Sequence, residues 1–288
     1  MKKLLFSFIT FSFISSSLLA QDAKPNKVRF GLRISPQPTW FTSGDKNATP
    51  NGARFGFGFG LNMEFRLSDV ASFLTGIGGD FEGGKYNFRY DPANNYQVTY
   101  LLDESNVFVD PNGKTDGVNN KLIKSNTAFI VQGRTVKTSY VTIPVILKLS
   151  TKEYSGFKYF GMFGGEIGIR LKATATDSYV ESGKFVSDSS GSYRFSKSAG
   201  AESQTDINVT KDFSPLRLCF NAGLGAEYRI AGTTSIFINI NYFRSLLNQT
   251  KSESENTFYK TEASSGKSTL IKQNLKASGI RINVGILF

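Results

Sequence analysis

The sequence predicts an all-β fold, an eight-stranded antiparallel transmembrane β-barrel with short periplasmic turns and long extracellular loops. Three observations lead to this prediction. Apolar and polar residues alternate with period two in eight segments. The connections between these segments alternate between short and long. Glycine is concentrated on the polar face of the strands. An even number of antiparallel strands can close into a ring, and in lipid only a closed ring satisfies the backbone of every strand.

The strands are defined by their alternation. Between residues 55 and 65, Phe, Leu and Met occupy the odd positions, while Gly, Asn and Glu occupy the even ones. Similar segments begin near residues 28, 73, 141, 158, 216, 236 and 279. Glycine weakens a strand whose polar face meets water, whereas inside a narrow barrel it leaves room for long side chains. The alternative is a soluble periplasmic β-protein, whose strands would show the same alternation of apolar and polar residues with the apolar face turned inward.

The connections between these strands are of two kinds. Tight turns are expected at residues 67–72, 151–155 and 231–233, and long polar loops at residues 42–51, 91–135, 174–214 and 248–274. Loops of about 40 residues are unusual in a compact soluble domain. Short turns at one rim and long loops at the other are typical of outer-membrane barrels, with both chain termini on the short-turn side.

The first twenty residues have the pattern of a secretory signal peptide. Lys2 and Lys3 precede an apolar run at residues 4–19, and Ala20 supplies a small residue at the cleavage point. The run is shorter than the roughly 20 residues of a membrane-spanning helix, although an uncleaved anchor is the alternative. We therefore expect a signal peptide at residues 1–20, a barrel domain at residues 21–288, and a location in the outer membrane of a Gram-negative cell.

The composition excludes several classes of chemistry. The chain has no His and a single Cys, so it lacks the residues for His-dependent nucleophiles, His metal sites and multi-Cys sites. Asp80 and Glu82 share a face and could form a carboxylate pair, but the surrounding basic residues would keep both ionised. We expect no catalytic residue, no metal, no cofactor and no enzymatic activity. The formal charge of +11 suggests nucleic acid or an anionic membrane surface as a partner, and export of the chain argues against nucleic acid.

Strand parity places most charged strand residues in the lumen, where buried charges must be paired or hydrated. The predicted lumen charge network consists of Arg29, Arg33, Glu64, Arg66, Asp80, Glu82, Glu166, Arg170, Glu227, Arg229 and Arg281. Lys148, Lys172 and Arg217 have the same inward parity. We favour a structural plug of salt bridges, because side chains fill the interior of eight strands; an anion-preferring pore is the alternative.

A second set of basic residues has outward parity at the long-loop ends of the strands. It consists of Lys85, Arg89, Lys137, Arg244 and Lys276. A basic side chain costs about 2–4 kcal/mol at the membrane midplane and little near its surface. We expect a basic rim that contacts the phosphates of outer-membrane lipid or lipopolysaccharide. The alternative is that these side chains simply reach into water.

One strand carries a recognisable motif, since residues 140–149 read Tyr-Val-Thr-Ile-Pro-Val-Ile-Leu-Lys-Leu. This segment resembles a strand of the PorT-like outer-membrane β-barrel proteins of Bacteroidetes, and the Gly-rich strand at residues 161–170 and the last strand fit the same family. The resemblance implies an eight-stranded barrel that is inserted by the barrel assembly machinery, which would read the last strand ending in Phe288. Some members of the family are linked to type IX protein secretion.

Two classes of function remain. The first is a non-enzymatic structural or interaction module whose long extracellular loops bind an envelope protein or a secreted protein, accessory to protein secretion as in PorT-like barrels. The second is a narrow porin-like pore for small solutes.

Overall fold

The computed structural model describes residues 27–44, 48–89, 98–102, 108–109, 127–187, 193–197, 203–251, 259–261, 268–270 and 273–288. The expected signal peptide at residues 1–20 and much of the predicted long loops lie outside these residues. Within the described residues, no helix has the length and hydrophobicity to cross a membrane.

Eight long antiparallel strands form the fold, and we number them in chain order. They are β1 (Val28–Ser43), β2 (Arg54–Arg66), β3 (Ala71–Phe88), β4 (Thr127–Ser150), β5 (Phe157–Ser187), β6 (Leu216–Ala231), β7 (Thr234–Ser245) and β8 (Leu275–Leu287). Each strand pairs with the next one, and β8 pairs with β1 to close the ring. The prediction of an all-β, eight-stranded antiparallel barrel is confirmed.

The predicted tight turns join strands at one end of the ring. They lie at residues 67–70, 151–156 and 232–233. Ser155 and Gly156 both have positive φ, 50° and 83°, as a two-residue type I′ turn requires, and the twist of such a turn matches that of paired strands. Backbone hydrogen bonds between Phe30 and Phe288, with N···O distances of 3.0 and 2.8 Å, close the ring at the same end. We call this the short-turn end and the opposite one the long-loop end.

Strands β4 and β5 extend far beyond the length that crosses a bilayer. They contain 24 and 31 residues, which correspond to about 80 and 100 Å of extended chain, whereas a transmembrane strand needs about 9–11 residues. Residues 127–135 and 174–187 were predicted as parts of loops, and this prediction was wrong because they continue the two strands. Short strands accompany these extensions at Ala48–Pro50, Val98–Leu102, Phe108–Val109, Tyr193–Lys197, Ser203–Asn208, Tyr259–Thr261 and Ser268–Leu270.

A β-bulge explains why a single alternation does not describe β5. The pairing of β4 with β5 shifts by one residue between Ser139 and Tyr140, so that Leu171 of β5 has no directly opposed partner. On the short-turn side of Leu171 the even residues of β5 face the lumen, and beyond it the odd residues such as Ala173 and Ala175 are buried. One extra residue in a strand moves every side chain after it to the opposite face of the sheet.

The barrel is apolar outside and polar inside. On β7, Ile236, Ile238 and Ile240 are 46%, 53% and 57% exposed, while Ser235 and Asn239, on the opposite face of the strand, are buried. A soluble barrel has the opposite arrangement, with its apolar face turned inward. A continuous belt of exposed apolar side chains is typical of a surface that meets lipid.

Gly225 and Gly161 provide a matched test of how full the lumen is. A side chain at Gly225 of β6 would point against Phe160 and Asn239 in the lumen, whereas one at Gly161 of β5 would have only Leu224 nearby, at 3.9 Å. We expect Gly225→Val to lower the free energy of unfolding by about 1–3 kcal/mol, the usual effect of overpacking, and Gly161→Val to leave it unchanged. Urea unfolding in detergent, followed by heat-modifiable gel mobility, measures both variants. Equal stability of the two would contradict a filled lumen.

Candidate functional site

The turn-side cluster is a group of paired charges in the lumen near the short-turn end, formed by Arg29, Glu64, Lys148 and Glu227. The Lys148 ammonium lies 3.1 Å from Glu64 Oε2 and also contacts the Glu227 carboxylate. Arg29 Nη2 lies 2.8 Å from Glu64 Oε2 and 3.2 Å from Glu227 Oε2. Two cations and two carboxylates therefore balance each other at this level of the barrel.

The loop-side cluster is a second group of charges, formed by Asp80, Glu82, Glu166, Arg217 and Arg281. Arg217 contacts Glu82, and its Nη2 lies 2.7 Å from Glu166 Oε1. Arg281 also contacts Glu166, and its Nη2 lies 3.2 Å from Asp80 Oδ2. Arg217 and Asp80 are completely buried. Because buried charges are costly unless each has a partner, these side chains depend on one another.

Aromatic rings complete the loop-side cluster. The Arg217 guanidinium lies 4.4 Å from the ring centroid of Tyr140, and that of Arg281 lies 4.2 Å from the centroid of Phe243. Such contacts are favourable cation–π interactions, more so where water is excluded. The Tyr140 hydroxyl also donates a hydrogen bond to Gln249 Oε1 at 2.8 Å. Tyr140, the first residue of the Tyr-Val-Thr-Ile-Pro motif, therefore packs against the loop-side cluster.

An apolar layer occupies the lumen beside the turn-side cluster. Ile146, Phe160 and Met162 are buried and pack against Leu74. A cavity of about 40 Å³ adjoins them and continues along polar side chains such as Asn239. Such a space holds no more than a few water molecules, so it is too small for a solute. A wider cavity of about 110 Å³ opens at the short-turn end.

A second apolar group, which we call the cap core, fills the long-loop end. The Tyr86 ring packs edge-on against Phe41 and Phe88, with centroid distances of 6.0 and 5.3 Å. Tyr100 stacks on Phe129 at 5.2 Å. The cap core consists of Phe41, Ala48, Tyr86, Phe88, Val98, Tyr100, Phe129, Val131, Val136, Ala173, Ala175, Ile207, Val209, Phe213, Leu275 and Ala277.

One buried ion pair lies within the cap core, beyond the exposed apolar belt. Arg134 binds Asp177 through two hydrogen bonds, Nε to Oδ1 and Nη2 to Oδ2, both of 2.6 Å. Burial disfavours the charge on Arg134, but the Asp177 carboxylate outweighs this effect and raises the pKa of Arg134. Burial also raises the pKa values of Tyr86 and Tyr100, so both remain neutral phenols at ordinary pH. The long-loop end is thus closed by an apolar core that encloses a doubly hydrogen-bonded ion pair.

Arg33 lies between the two clusters and contacts neither as an ion pair. Its Nη1 donates to Ser35 Oγ at 3.1 Å and to Asn283 Oδ1 at 3.2 Å. The loop-side cluster contains three carboxylates and two guanidinium groups. Arg33 therefore supplies the positive charge that makes this part of the lumen neutral.

Besides Arg33, three further residues of the predicted network join neither cluster. Arg66 and Arg229 stand at the short-turn end, and they pair with carboxylates of the tight turns because those are the nearest ones. Arg170 stands next to the bulge and donates to the backbone carbonyls of Thr210 and Ser214. The structure thus gives these three arginines partners outside the two clusters.

The residues of the predicted basic rim lie at the long-loop end. Lys85, Arg89, Lys137 and Arg244 are exposed, and Lys276 is partly buried. Lys172, which parity directed into the lumen, is instead exposed on the outer wall. That prediction was wrong because the bulge at Leu171 exchanges the faces of β5.

The cap core is the part of the site that sequence reasoning missed. Its signal is the presence of large apolar residues such as Val98, Tyr100 and Phe129 inside a segment that was assigned to a polar loop. Lys148 and Arg217 were assigned to the lumen by parity, but their place at the centre of the two clusters follows only from contacts across the barrel.

Comparison with known proteins points to one family. Residues 19–251 match the family model described as an outer membrane protein beta-barrel domain. A search of curated proteins gives no match.

Three similar solved structures are distant in sequence. Neisserial surface protein A is 9% identical, with 90% of this chain and 96% of that chain covered and a TM-score of 0.35. The outer membrane protease OmpT of Escherichia coli is 10% identical, with 94% and 99% covered and a TM-score of 0.40. The outer membrane protein OprG of Pseudomonas aeruginosa is 9% identical, with 91% and 94% covered and a TM-score of 0.33. At these values the likenesses carry no argument about function.

Lys148 allows a test of the turn-side cluster. Lys148→Met leaves Glu64 and Glu227 with Arg29 as their remaining cation, so we expect the free energy of unfolding to fall by about 3–5 kcal/mol. Adding Glu227→Gln should restore most of this loss. Lys152→Met, in an exposed position of a tight turn, is the control and should change stability by less than about 0.5 kcal/mol. Urea unfolding in lipid vesicles measures all three, and a loss no larger than the control's would mean that the cluster contributes no pairing energy.

Proposed function

Because the chain belongs to the outer membrane protein beta-barrel domain family, we propose that it is a non-enzymatic outer-membrane barrel that is closed to solutes and acts as an interaction module. The family match indicates the outer membrane, where the long-loop end of a barrel faces the cell exterior. One observation carries the proposal: two ion-pair clusters, an apolar layer and the cap core fill the lumen. The chemistry that a partner can reach therefore lies on the outer surface.

The state of the lumen carboxylates supports a role without catalysis. Asp80 and Glu82, the pair that parity placed on one face, are buried beside Arg217 and Arg281. A general acid or base has to come within hydrogen-bonding reach of its substrate. These carboxylates already bind guanidinium groups inside a filled barrel, so a substrate has no access to them.

The part of the barrel that projects outside the membrane supports an interaction role. We call it the β extension, and it consists of residues 127–137 of β4, residues 173–187 of β5 and the short strands that pair with them. Its inner side is held by the cap core. A rigid sheet presents a fixed surface to a partner. Binding to it therefore does not carry the entropic cost of ordering a flexible segment.

The outer edge of the β extension suggests how a partner would bind. Ser203–Asn208 pairs with β5 and stands at one end of the described strand order. An exposed end strand can accept an extended segment of another protein as a further strand. We propose an envelope protein or a secreted protein as this partner. The resemblance to PorT-like barrels makes a protein of the secretion pathway the first candidate.

Site-specific photo-crosslinking in intact cells tests the interaction role. Val180 is 45% exposed on β5 and Thr205 is exposed on the strand Ser203–Asn208, whereas Tyr154 is 83% exposed in a tight turn at the short-turn end. With a photoreactive residue at each position in turn, we expect one protein adduct of the same mass from positions 180 and 205 and none of that mass from position 154. Absence of an adduct at both extension positions, or the same adducts at all three, would contradict the proposal.

A narrow porin-like pore for small solutes is the alternative function. The polar lining of the lumen favours it, notably Asn221 and Asn239, together with the cavity at the short-turn end. For such a pore to conduct, the cap core and both clusters would have to open.

Planar-bilayer recording distinguishes the two functions. Because ion pairs and packed side chains fill the lumen, we expect membranes that contain the refolded barrel to show no channel openings above background. Heat-modifiable gel mobility establishes beforehand that the inserted protein is folded. Stable openings of reproducible size would favour the pore and count against the closed interaction module.

A further inference from the structure

The β-bulge of β5 brings two lysines together on the outer wall. Because Leu171 is the extra residue, Lys172 faces outward. Lys172 is opposite Ser139 in the pairing of β4 with β5, and Lys137 is opposite Thr174. Lys137 and Lys172 are therefore diagonal neighbours on the same face, with about 7–8 Å between their Cβ atoms.

Lys85 extends this group to a third strand. In the pairing of β3 with β4, Lys85 is opposite Thr135 and Gly83 is opposite Lys137. Lys85 is thus the diagonal neighbour of Lys137 on its other side, and all three lysines occupy the outer faces of adjacent strands. We call Lys85, Lys137 and Lys172 the lysine patch.

Hydroxyl groups surround the lysine patch and carboxylates do not. Thr135, Ser139 and Thr174 share its face and are partly exposed. Among the residues that the structure describes, no carboxylate oxygen lies within 4.0 Å of an ammonium group of the patch. Ammonium and hydroxyl groups are good donors to phosphate oxygens.

An apolar groove begins next to the lysine patch on the outer wall. It is a broad, open depression of about 1010 Å³ that extends around the wall to Ile236 of β7 and Val284 of β8. Phe59, Phe81, Val141 and Leu171 line the part of it nearest the patch. Phe81 lies four residues from Lys85 along β3, Val141 lies four residues from Lys137 along β4, and Leu171 precedes Lys172. The groove therefore continues from the patch towards the middle of the apolar belt.

We propose that the lysine patch and this groove together bind one phosphorylated lipid of the outer leaflet, with its phosphate on the ammonium groups and an acyl chain in the groove. Charge and apolar surface are continuous here, which matches a lipid rather than free phosphate or a soluble phosphorylated sugar. The patch stands at the outer limit of the belt, where the phosphates of the leaflet lie. The inference goes beyond the interaction role and requires only that the barrel reside in the outer membrane.

The geometry also narrows the site to one side of the barrel. Arg244 and Lys276 form a separate basic pair on β7 and β8, since Arg244 is opposite Ser278 and Lys276 is two residues away. The patch instead places three lysines on the adjacent strands β3, β4 and β5. The basic rim is thus uneven, and the patch is its specific part.

Native mass spectrometry of the full chain in detergent, titrated with bisphosphorylated lipid A, tests the site. We expect Lys85→Gln/Lys137→Gln/Lys172→Gln to bind this lipid about 100-fold more weakly, because each basic residue near an anionic lipid surface contributes about fivefold. The matched control is Lys27→Gln/Lys152→Gln/Lys211→Gln, which removes three exposed lysines elsewhere. It should bind like the parent protein. Heat-modifiable gel mobility checks that each variant is folded.

Two further ligands distinguish a lipid phosphate from the phosphate of a soluble sugar. Lipid A without its phosphates and a glucosamine phosphate without acyl chains should each bind at least about tenfold more weakly than intact lipid A, because each lacks one half of the contacts. If the acyl-free sugar phosphate bound as tightly as intact lipid A, the site would recognise soluble phosphates and not a lipid. Equal binding of the phosphate-free lipid, or equal affinity of the patch variant and its control, would overturn the role of the lysines.

Discussion

The width of an eight-stranded ring is the constraint on which the rest of this structure depends. Such a ring encloses a space that side chains fill, and its outer face is apolar where it meets lipid, so charges on the inner face have to be balanced by their neighbours. Arg29 and Lys148 balance two carboxylates at one level, while Arg217, Arg281 and Arg33 balance three at another. Glycine on the inner face follows from the same constraint, because the long charged side chains need the volume that glycine leaves.

Beyond the apolar belt the same strands follow the rules of a soluble protein. The interior changes from ionic clusters to the cap core, and the wall changes from a lipid-facing to a water-facing surface. The ion pair of Arg134 with Asp177 is buried there, with two hydrogen bonds between its members. The β extension is thus an ordinary packed sheet that is continuous with a membrane barrel, which explains how β4 and β5 remain ordered so far from the bilayer.

Much of the barrel could be predicted from the sequence, because within the belt the two faces of a strand differ sharply in polarity, as Ile236 and Asn239 illustrate. Parity also selected charged residues for the lumen, but not their partners. That Lys148 of β4 meets Glu227 of β6 is a contact across the barrel, and no local pattern encodes it. The bulge at Leu171 is a one-residue event without a compositional signal. The alternation of the sequence therefore could not predict the outward direction of Lys172 or the inward direction of Ala173 and Ala175, which follow from the bulge.

The seam between β1 and β8 has a consequence for the order of assembly. It joins the most distant parts of the chain, as in the hydrogen bond from Arg281 to Gln37 across 244 positions, and contacts of such separation form late because the entropic cost of closing the loop is greatest. Arg281 travels with β8, and with Arg217 it is one of the two cations that pair with Asp80 and Glu166. A ring still open at this seam therefore holds an uncompensated carboxylate in its interior, and the arrival of β8 neutralises it. Reopening would have to restore that charge imbalance, so the final step of folding also acts as a kinetic lock on the finished barrel.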